Sequence, residues 1–94
     1  MIKNEKKLAE WIEKNEIDSN DQITSSIKCL NIVSILIGEE LSEKNLFDEN
    51  CVEFISKKLR SLKNEKTISN YKLALRQYVR MVESLRKTTL VNSL

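Results

Sequence analysis

The chain has 94 residues and a formal net charge of +2, and with 40% hydrophobic and 32% charged residues it is too apolar for a disordered chain and too charged for a membrane protein. It contains no Pro, no His and a single Gly, which excludes most turn signals of a β-sandwich, glycine-rich phosphate loops, His-dependent catalytic pairs and Cys/His zinc sites. We therefore predict one all-α domain over residues 1–94, with no enzymatic role and no cofactor.

The first predicted helix covers residues 4–14. Leu8, Trp11 and Ile12 recur there at helical spacing, with Lys and Glu residues between them. The apolar stripe is narrow, so we expect a peripheral brace whose Trp11 inserts between the later helices. The polar stretch 15–20 ends this helix.

The second predicted helix covers residues 22–37 and is central. Asn20 or Asp21 is its expected N-cap, with Ser19 as the less favoured alternative. Its length without a turn signal exceeds that of a usual strand, although several of its residues are β-branched. Its apolar residues occur on nearly all sides of the helix, which predicts that most of its circumference is buried. These residues are Ile23, Ile27, Cys29, Leu30, Ile32, Val33, Ile35, Leu36 and Ile37.

Gly38 stands where a left-handed residue commonly ends a helix, and a loop through residues 41–47 follows it. The third helix is predicted over residues 49–63, with Asp48 as its N-cap. Its inner stripe is expected to contain Cys51, Val52, Phe54, Ile55, Leu59 and Leu62, and its outer face Lys57, Lys58, Arg60 and Lys63.

The fourth helix is predicted over residues 68–87, with Thr67 as its N-cap and residues 88–94 as a tail or linker. It has the most regular helical periodicity in the chain. Its apolar positions are Ile68, Tyr71, Leu75, Tyr78 or Val79, Val82 and Leu85. This spacing predicts that both tyrosines belong to the core, as Trp11 does.

Charge is divided unevenly along the chain. Residues 1–50 have six Lys and eleven acidic residues, a net −5, whereas residues 51–94 have ten Lys or Arg and three acidic residues, a net +7. Lys72, Arg76 and Arg80 form a ladder of cations along one face of the fourth helix. Charge alone is more typical of a solvated surface than of a polyanion site, but the asymmetry is compatible with either.

Cys29 and Cys51 lie on apolar stripes and are predicted to be free and buried. The start of the chain carries the charged stretch 3–7 and not an apolar secretory segment, so we expect a reduced, cytoplasmic protein. The longest apolar run is far short of the roughly 20 residues that a membrane span needs, so no membrane partner is predicted.

Residues 66–78 (KTISNYKLALRQY) resemble the last helix of the SAM-like core-binding domain of tyrosine recombinases and phage integrases. Residues 46–55 (LFDENCVEFI) are similar to that family's third helix, residues 23–26 (ITSS) to the start of its second, and Trp11 falls where a first-helix aromatic is common. A related helical module precedes the nuclease domain of some restriction endonucleases. The resemblance implies a compact, SAM-like orthogonal four-helix bundle that grips DNA. It does not extend to recombinase chemistry, because no Arg/His set surrounds either tyrosine of the fourth helix.

The predicted function is non-catalytic binding of duplex DNA through the basic faces of the third and fourth helices. Arg76 and Arg80 are the best candidates for groove or base-edge contacts, since Arg offers a bidentate fork that Lys lacks. An amide such as Asn70 or Gln77 can read adenine, but on a helix it is more often plain surface. The predicted DNA-binding residues are Lys57, Lys58, Lys63, Lys66, Asn70, Lys72, Arg76 and Arg80.

The acidic half supports an alternative function. Glu39, Glu40 and Glu43 would present carboxylates to a basic protein partner, as expected of a small inhibitor or adaptor. These residues, with Asp48 and Glu49, lack the spacing and the central Gly of a calcium loop, so no metal site is predicted.

Overall fold

The computed structural model describes residues 2–15 and 20–93 of the chain. An all-α four-helix bundle is confirmed, and the described residues contain no strand, only an isolated parallel bridge between Ile2 and Leu41. The helices are α1 (Glu5–Asn15), α2 (Asn20–Ile37), α3 (Glu49–Leu59) and α4 (Glu65–Ser93). None of them is long and apolar enough, within the described part, to cross a membrane.

The start of α2 differs from the prediction. The helix begins at Asn20, so Asn20 and Asp21 lie within it and do not precede it as caps. The alternative cap, Ser19, lies outside the described residues. Without Gly or Pro in this stretch, nothing in the sequence delays the helix until residue 22.

The end of α2 is as predicted. Gly38 has a φ of 70°, the left-handed conformation that glycine adopts without steric cost. Its N–H donates to the Ile35 carbonyl and the Glu39 N–H donates to the Ser34 carbonyl, both at 3.2 Å, which is the hydrogen-bond pattern of a Schellman motif. The Ser34 hydroxyl donates to the Glu39 carbonyl at 2.6 Å and fixes the chain as it leaves the helix.

The junction between α3 and α4 lies earlier in the chain than predicted, at residues 60–64 and not 64–67. Asp48 caps α3 as expected, because its Oδ1 accepts the Cys51 N–H at 2.9 Å. However, α3 ends at Leu59 and not at residue 63, and Asn64 rather than Thr67 caps α4 by accepting the Thr67 N–H at 2.9 Å. Asn is a stronger N-cap than Thr, so α4 starts three residues earlier than predicted. Residues 60–63, which were predicted to end α3, lie in the turn between the two helices.

The last helix is also longer at its other end. Residues 88–93, predicted as a tail or linker, continue α4 to Ser93. Neither Gly nor Pro occurs after Gly38, so the sequence supplies no residue that stops the helix at 87.

The core is built around α4, which packs against each of the other three helices. Tyr71 and Tyr78 are buried, as predicted. Leu41 and Leu46 are also fully buried, although they lie in the loop between α2 and α3. The other fully buried large side chains are Leu8, Ile12, Leu30, Val33, Val52, Leu59, Ile68, Leu75 and Met81.

Several side chains assigned to the core lie outside it. Phe54 is 61% exposed and Ile35 75%, because a helix packed on one side buries only that side of its circumference. Leu62 is 53% exposed and lies in the turn after α3. Trp11 packs at the edge of the core and is partly buried.

Both cysteines are free, as predicted, but each is only partly buried. Burial raises the pKa of the Cys29 thiol.

Candidate nucleic-acid interface

The predicted cation ladder of α4 faces carboxylates of α3. Lys72 Nζ lies 3.0 Å from Glu53 Oε1, and Arg76 Nε lies 2.8 Å from Glu49 Oε1. A second Arg76 nitrogen lies 3.9 Å from Glu53. The Lys72 side chain is 20% exposed and that of Arg76 39%, and both cations are paired with carboxylates of α3.

The pairing follows from helical spacing. Glu49 and Glu53 are one turn apart on α3, as Lys72 and Arg76 are on α4, so each pair occupies one side of its helix. A hydrogen bond from Lys72, together with its charge, holds the pKa of the Glu53 carboxyl below its ordinary value. The sequence contained a signal for this pairing. One helix has two acidic residues four apart and the next has two basic residues four apart, and the sequence analysis did not use this pattern to predict ion pairs between the helices.

Arg80, the third member of the ladder, is exposed but also lies near acidic groups. It lines a surface cleft between α3 and α4 together with Glu49, Arg76 and Glu83. Two carboxylates therefore border the position from which Arg80 would have to reach a base edge.

The remaining predicted cations lie at one corner of the molecule. We use the name basic corner for the exposed residues Lys57, Lys58, Arg60, Lys63 and Lys66, which span the end of α3, the turn and the start of α4. Lys58 pairs with Glu39 at 3.2 Å and Arg60 lies 3.7 Å from Glu65.

Three lysines of the basic corner differ from the rest. Lys57, Lys63 and Lys66 are exposed and make no ion pair with any residue that the structure describes. Within the described part of the chain no carboxylate is paired with them, so an incoming anion does not have to break an ion pair there.

The two amides on α4 have different surroundings. Asn70 is exposed and lies one turn after Lys66, so it continues the basic corner along the same side of the helix. Gln77 accepts a 2.7 Å hydrogen bond from the Ser26 hydroxyl of α2. The Gln77 side chain therefore joins two helices, and its Oε1 is already engaged.

The acidic segment predicted to bind a partner contacts the rest of the chain. Glu39 pairs with Lys58 of α3, and Glu43 accepts a 3.0 Å hydrogen bond from the Asn4 amide. Hydrogen bonding to its own backbone N–H is the main cause that lowers the pKa of Glu43. Glu40 is exposed.

Two large apolar side chains stand within the basic corner, and the sequence interpretation placed both in the core. Phe54 and Leu62 are more than half exposed. The Nζ of Lys58 lies 4.7 Å from the centroid of the Phe54 ring, a cation–π contact. The corner thus combines positive charge with an accessible aromatic ring.

Among the described residues no three His, Cys, Asp or Glu side chains are grouped so as to hold a metal ion. Comparisons with protein-family models, with curated proteins and with solved structures found no match.

Proposed function

We propose that the protein is a non-catalytic DNA-binding helical module that contacts the phosphates of duplex DNA through its basic corner. The observation that carries the proposal is the group of exposed lysines Lys57, Lys63 and Lys66, which have no carboxylate partner among the described residues. The resemblance to core-binding domains of recombinases and the expectation of a cytoplasmic protein belong to the same proposal.

Phosphate contacts of this kind give affinity without base recognition. Each lysine that neutralises a phosphate releases condensed counterions, and non-specific binding of this type has dissociation constants of roughly 1 to 100 μM at physiological salt. Arg76 and Lys72 are assigned a structural role, since they hold α3 to α4 through Glu49 and Glu53.

The experiment compares two triple variants that remove the same charge. Lys57→Gln/Lys63→Gln/Lys66→Gln removes the three lysines of the basic corner that make no ion pair with a described residue, while Lys6→Gln/Lys7→Gln/Lys14→Gln removes three exposed lysines of α1. We expect fluorescence anisotropy with a labelled duplex at low salt to show binding by the wild type and the α1 variant and none by the corner variant.

Two results would contradict the proposal. One is that the wild type does not bind the duplex at low salt. The other is that both triple variants lose affinity equally, since binding would then depend on total charge and not on the basic corner. Far-ultraviolet circular dichroism of each variant, compared with the wild type, verifies that the helices are retained.

An interaction with a basic protein is the second candidate function. Glu40 and Glu43 are exposed on the loop after α2, and buried Leu41 and Leu46 fix that loop to the core. If this surface binds a partner, charge reversal of Glu40 and Glu43 releases a co-purifying basic protein and leaves the anisotropy with duplex DNA unchanged.

A further inference from the structure

We propose that Phe54 is a stacking platform for an unpaired DNA base, so that the basic corner prefers DNA in which single-stranded bases adjoin a duplex. The inference rests on the proposed function and names the class of DNA that the same surface takes.

The position of Phe54 is the first support. Its side chain is 61% exposed on α3, whereas Val52, Ile55 and Leu59 of the same helix are buried. The Lys58 ammonium lies 4.7 Å from the ring centroid and restrains the ring from one side. More than half of the Phe54 surface remains accessible, which leaves room for a second flat ring.

The cations around Phe54 are the second support. Lys57 and Lys58 follow it at three and four residues, so all three side chains lie on one side of α3. Proteins that bind single strands combine aromatic rings, on which bases stack, with cations that follow the backbone. A base stacked on Phe54 would bring its own phosphates to Lys57 and to Lys58, where they would compete with the Glu39 carboxylate for the Lys58 ammonium.

The same arrangement disfavours an apolar protein face as the occupant. Such a face would cover Phe54 and the half-exposed Leu62 only by also removing water from the ammonium groups of Lys57 and Lys58. Lys58 has a carboxylate partner in Glu39, but Lys57 has none among the described residues, so its desolvation is costly. A nucleotide has no such conflict, because its base is flat and apolar on its faces while its phosphate is anionic. The interior base pairs of an intact duplex expose no free ring face, so the ring serves unpaired bases.

The test uses three labelled DNA molecules: a blunt duplex, the same duplex with a short thymine overhang, and the same duplex with an abasic overhang of equal length. The two overhangs carry equal numbers of phosphates, so any difference in affinity reports the bases. We expect the wild type to bind the thymine overhang about five- to 150-fold more tightly than the abasic one, the range typical of one stacked base.

Variants identify the residue responsible. Phe54→Ala should bind the thymine and abasic overhangs equally, whereas Phe54→Trp should keep the preference. Leu73→Ala is the matched control, since Leu73 is 62% exposed on α4 outside the basic corner, and it should keep the preference as well.

The outcomes separate this inference from the proposed function. Equal wild-type affinity for the two overhangs, or a thymine preference that survives in Phe54→Ala, overturns the stacking role while blunt-duplex binding still supports the proposed function. Failure of the wild type to bind any of the three DNA molecules at low salt overturns both.

Discussion

The hydroxyl of Tyr78 joins the beginning of the chain to the middle of α4. It donates a 2.8 Å hydrogen bond to the Lys3 carbonyl, and the Tyr78 side chain is fully buried. Phe at this position would leave the carbonyl without its partner, so we expect Tyr78→Phe to lower the free energy of unfolding by about 0.5–1.5 kcal/mol. Urea denaturation at neutral pH measures this difference, and two superimposable curves would contradict it.

The same bond has a predictable pH dependence. Burial raises the pKa of Tyr78 above its ordinary value of 10, the carboxylates of Glu43 and Glu40 raise it further, and the Asn4 hydrogen bond opposes them. The unfolded chain therefore loses this proton first, and the stabilisation declines as pH rises above 10. The advantage of the wild type over Tyr78→Phe should shrink in that range, and an advantage that grows with pH would contradict the assignment.

For individual residues, helical spacing predicted that both tyrosines are buried, but it did not predict their hydrogen-bond partners. Tyr71 and Tyr78 lie in register with Ile68 and Leu75, and a helix with one buried side places such residues in the core. The partner of Tyr78 is 75 residues away along the chain, and local periodicity contains no information about such a distance. The predicted cap of α4, Thr67, is wrong, because Asn64, which has the stronger cap preference, accepts the Thr67 N–H.

Among the structural elements, the loop between α2 and α3 behaves as part of the core. Leu46 is fully buried there, although it belongs to no helix. We expect Leu46→Ala to lower the free energy of unfolding by about 2–5 kcal/mol, as for a core leucine within a helix. Leu73→Ala, at a leucine that is 62% exposed, should change it by no more than about 0.5 kcal/mol.

Chemical denaturation of the two leucine variants measures both values. Similar losses in Leu46→Ala and Leu73→Ala would show that the loop leucine contributes no more than a surface side chain. Far-ultraviolet circular dichroism before denaturation ensures that the comparison concerns folded proteins.

Helical periodicity predicted the four helices because the apolar residues of each helix recur on one side. It could not predict the burial of residues in irregular segments, where no spacing repeats. Leu41 and Leu46 sit in an irregular segment, so no pattern distinguished them from solvent-exposed loop residues. Phe54 and Leu62 were assigned inward because they are apolar, yet their positions face away from the buried side of α3 or follow its end. Both residues were assigned to the core from their apolar character and not from their position around the helix axis. The sequence analysis therefore did not include them in the candidate site.

For the whole molecule, the contrast between an acidic first half and a basic second half is reduced by folding. Glu39 pairs with Lys58 and Glu49 with Arg76, so carboxylates from the first half neutralise cations of the second. The sequence predicted the charge asymmetry, but which cations stay unpaired depends on how the helices pack. Of the cations predicted to bind DNA, Lys57, Lys63 and Lys66 of the basic corner are thereby left without a carboxylate partner among the described residues.

This redistribution predicts how DNA affinity responds to salt. If Lys57, Lys63 and Lys66 each neutralise one phosphate, the logarithm of the association constant should fall with the logarithm of salt concentration at a slope of about −2.7. Lys63→Gln removes one contact and should bring the slope to about −1.8. Arg76→Gln removes the same charge from an ion pair with Glu49, so its slope should equal that of the wild type. Anisotropy titrations over a series of salt concentrations measure all three slopes. A slope that flattens in Arg76→Gln and not in Lys63→Gln would assign the phosphate contacts to the α4 ladder instead of the basic corner.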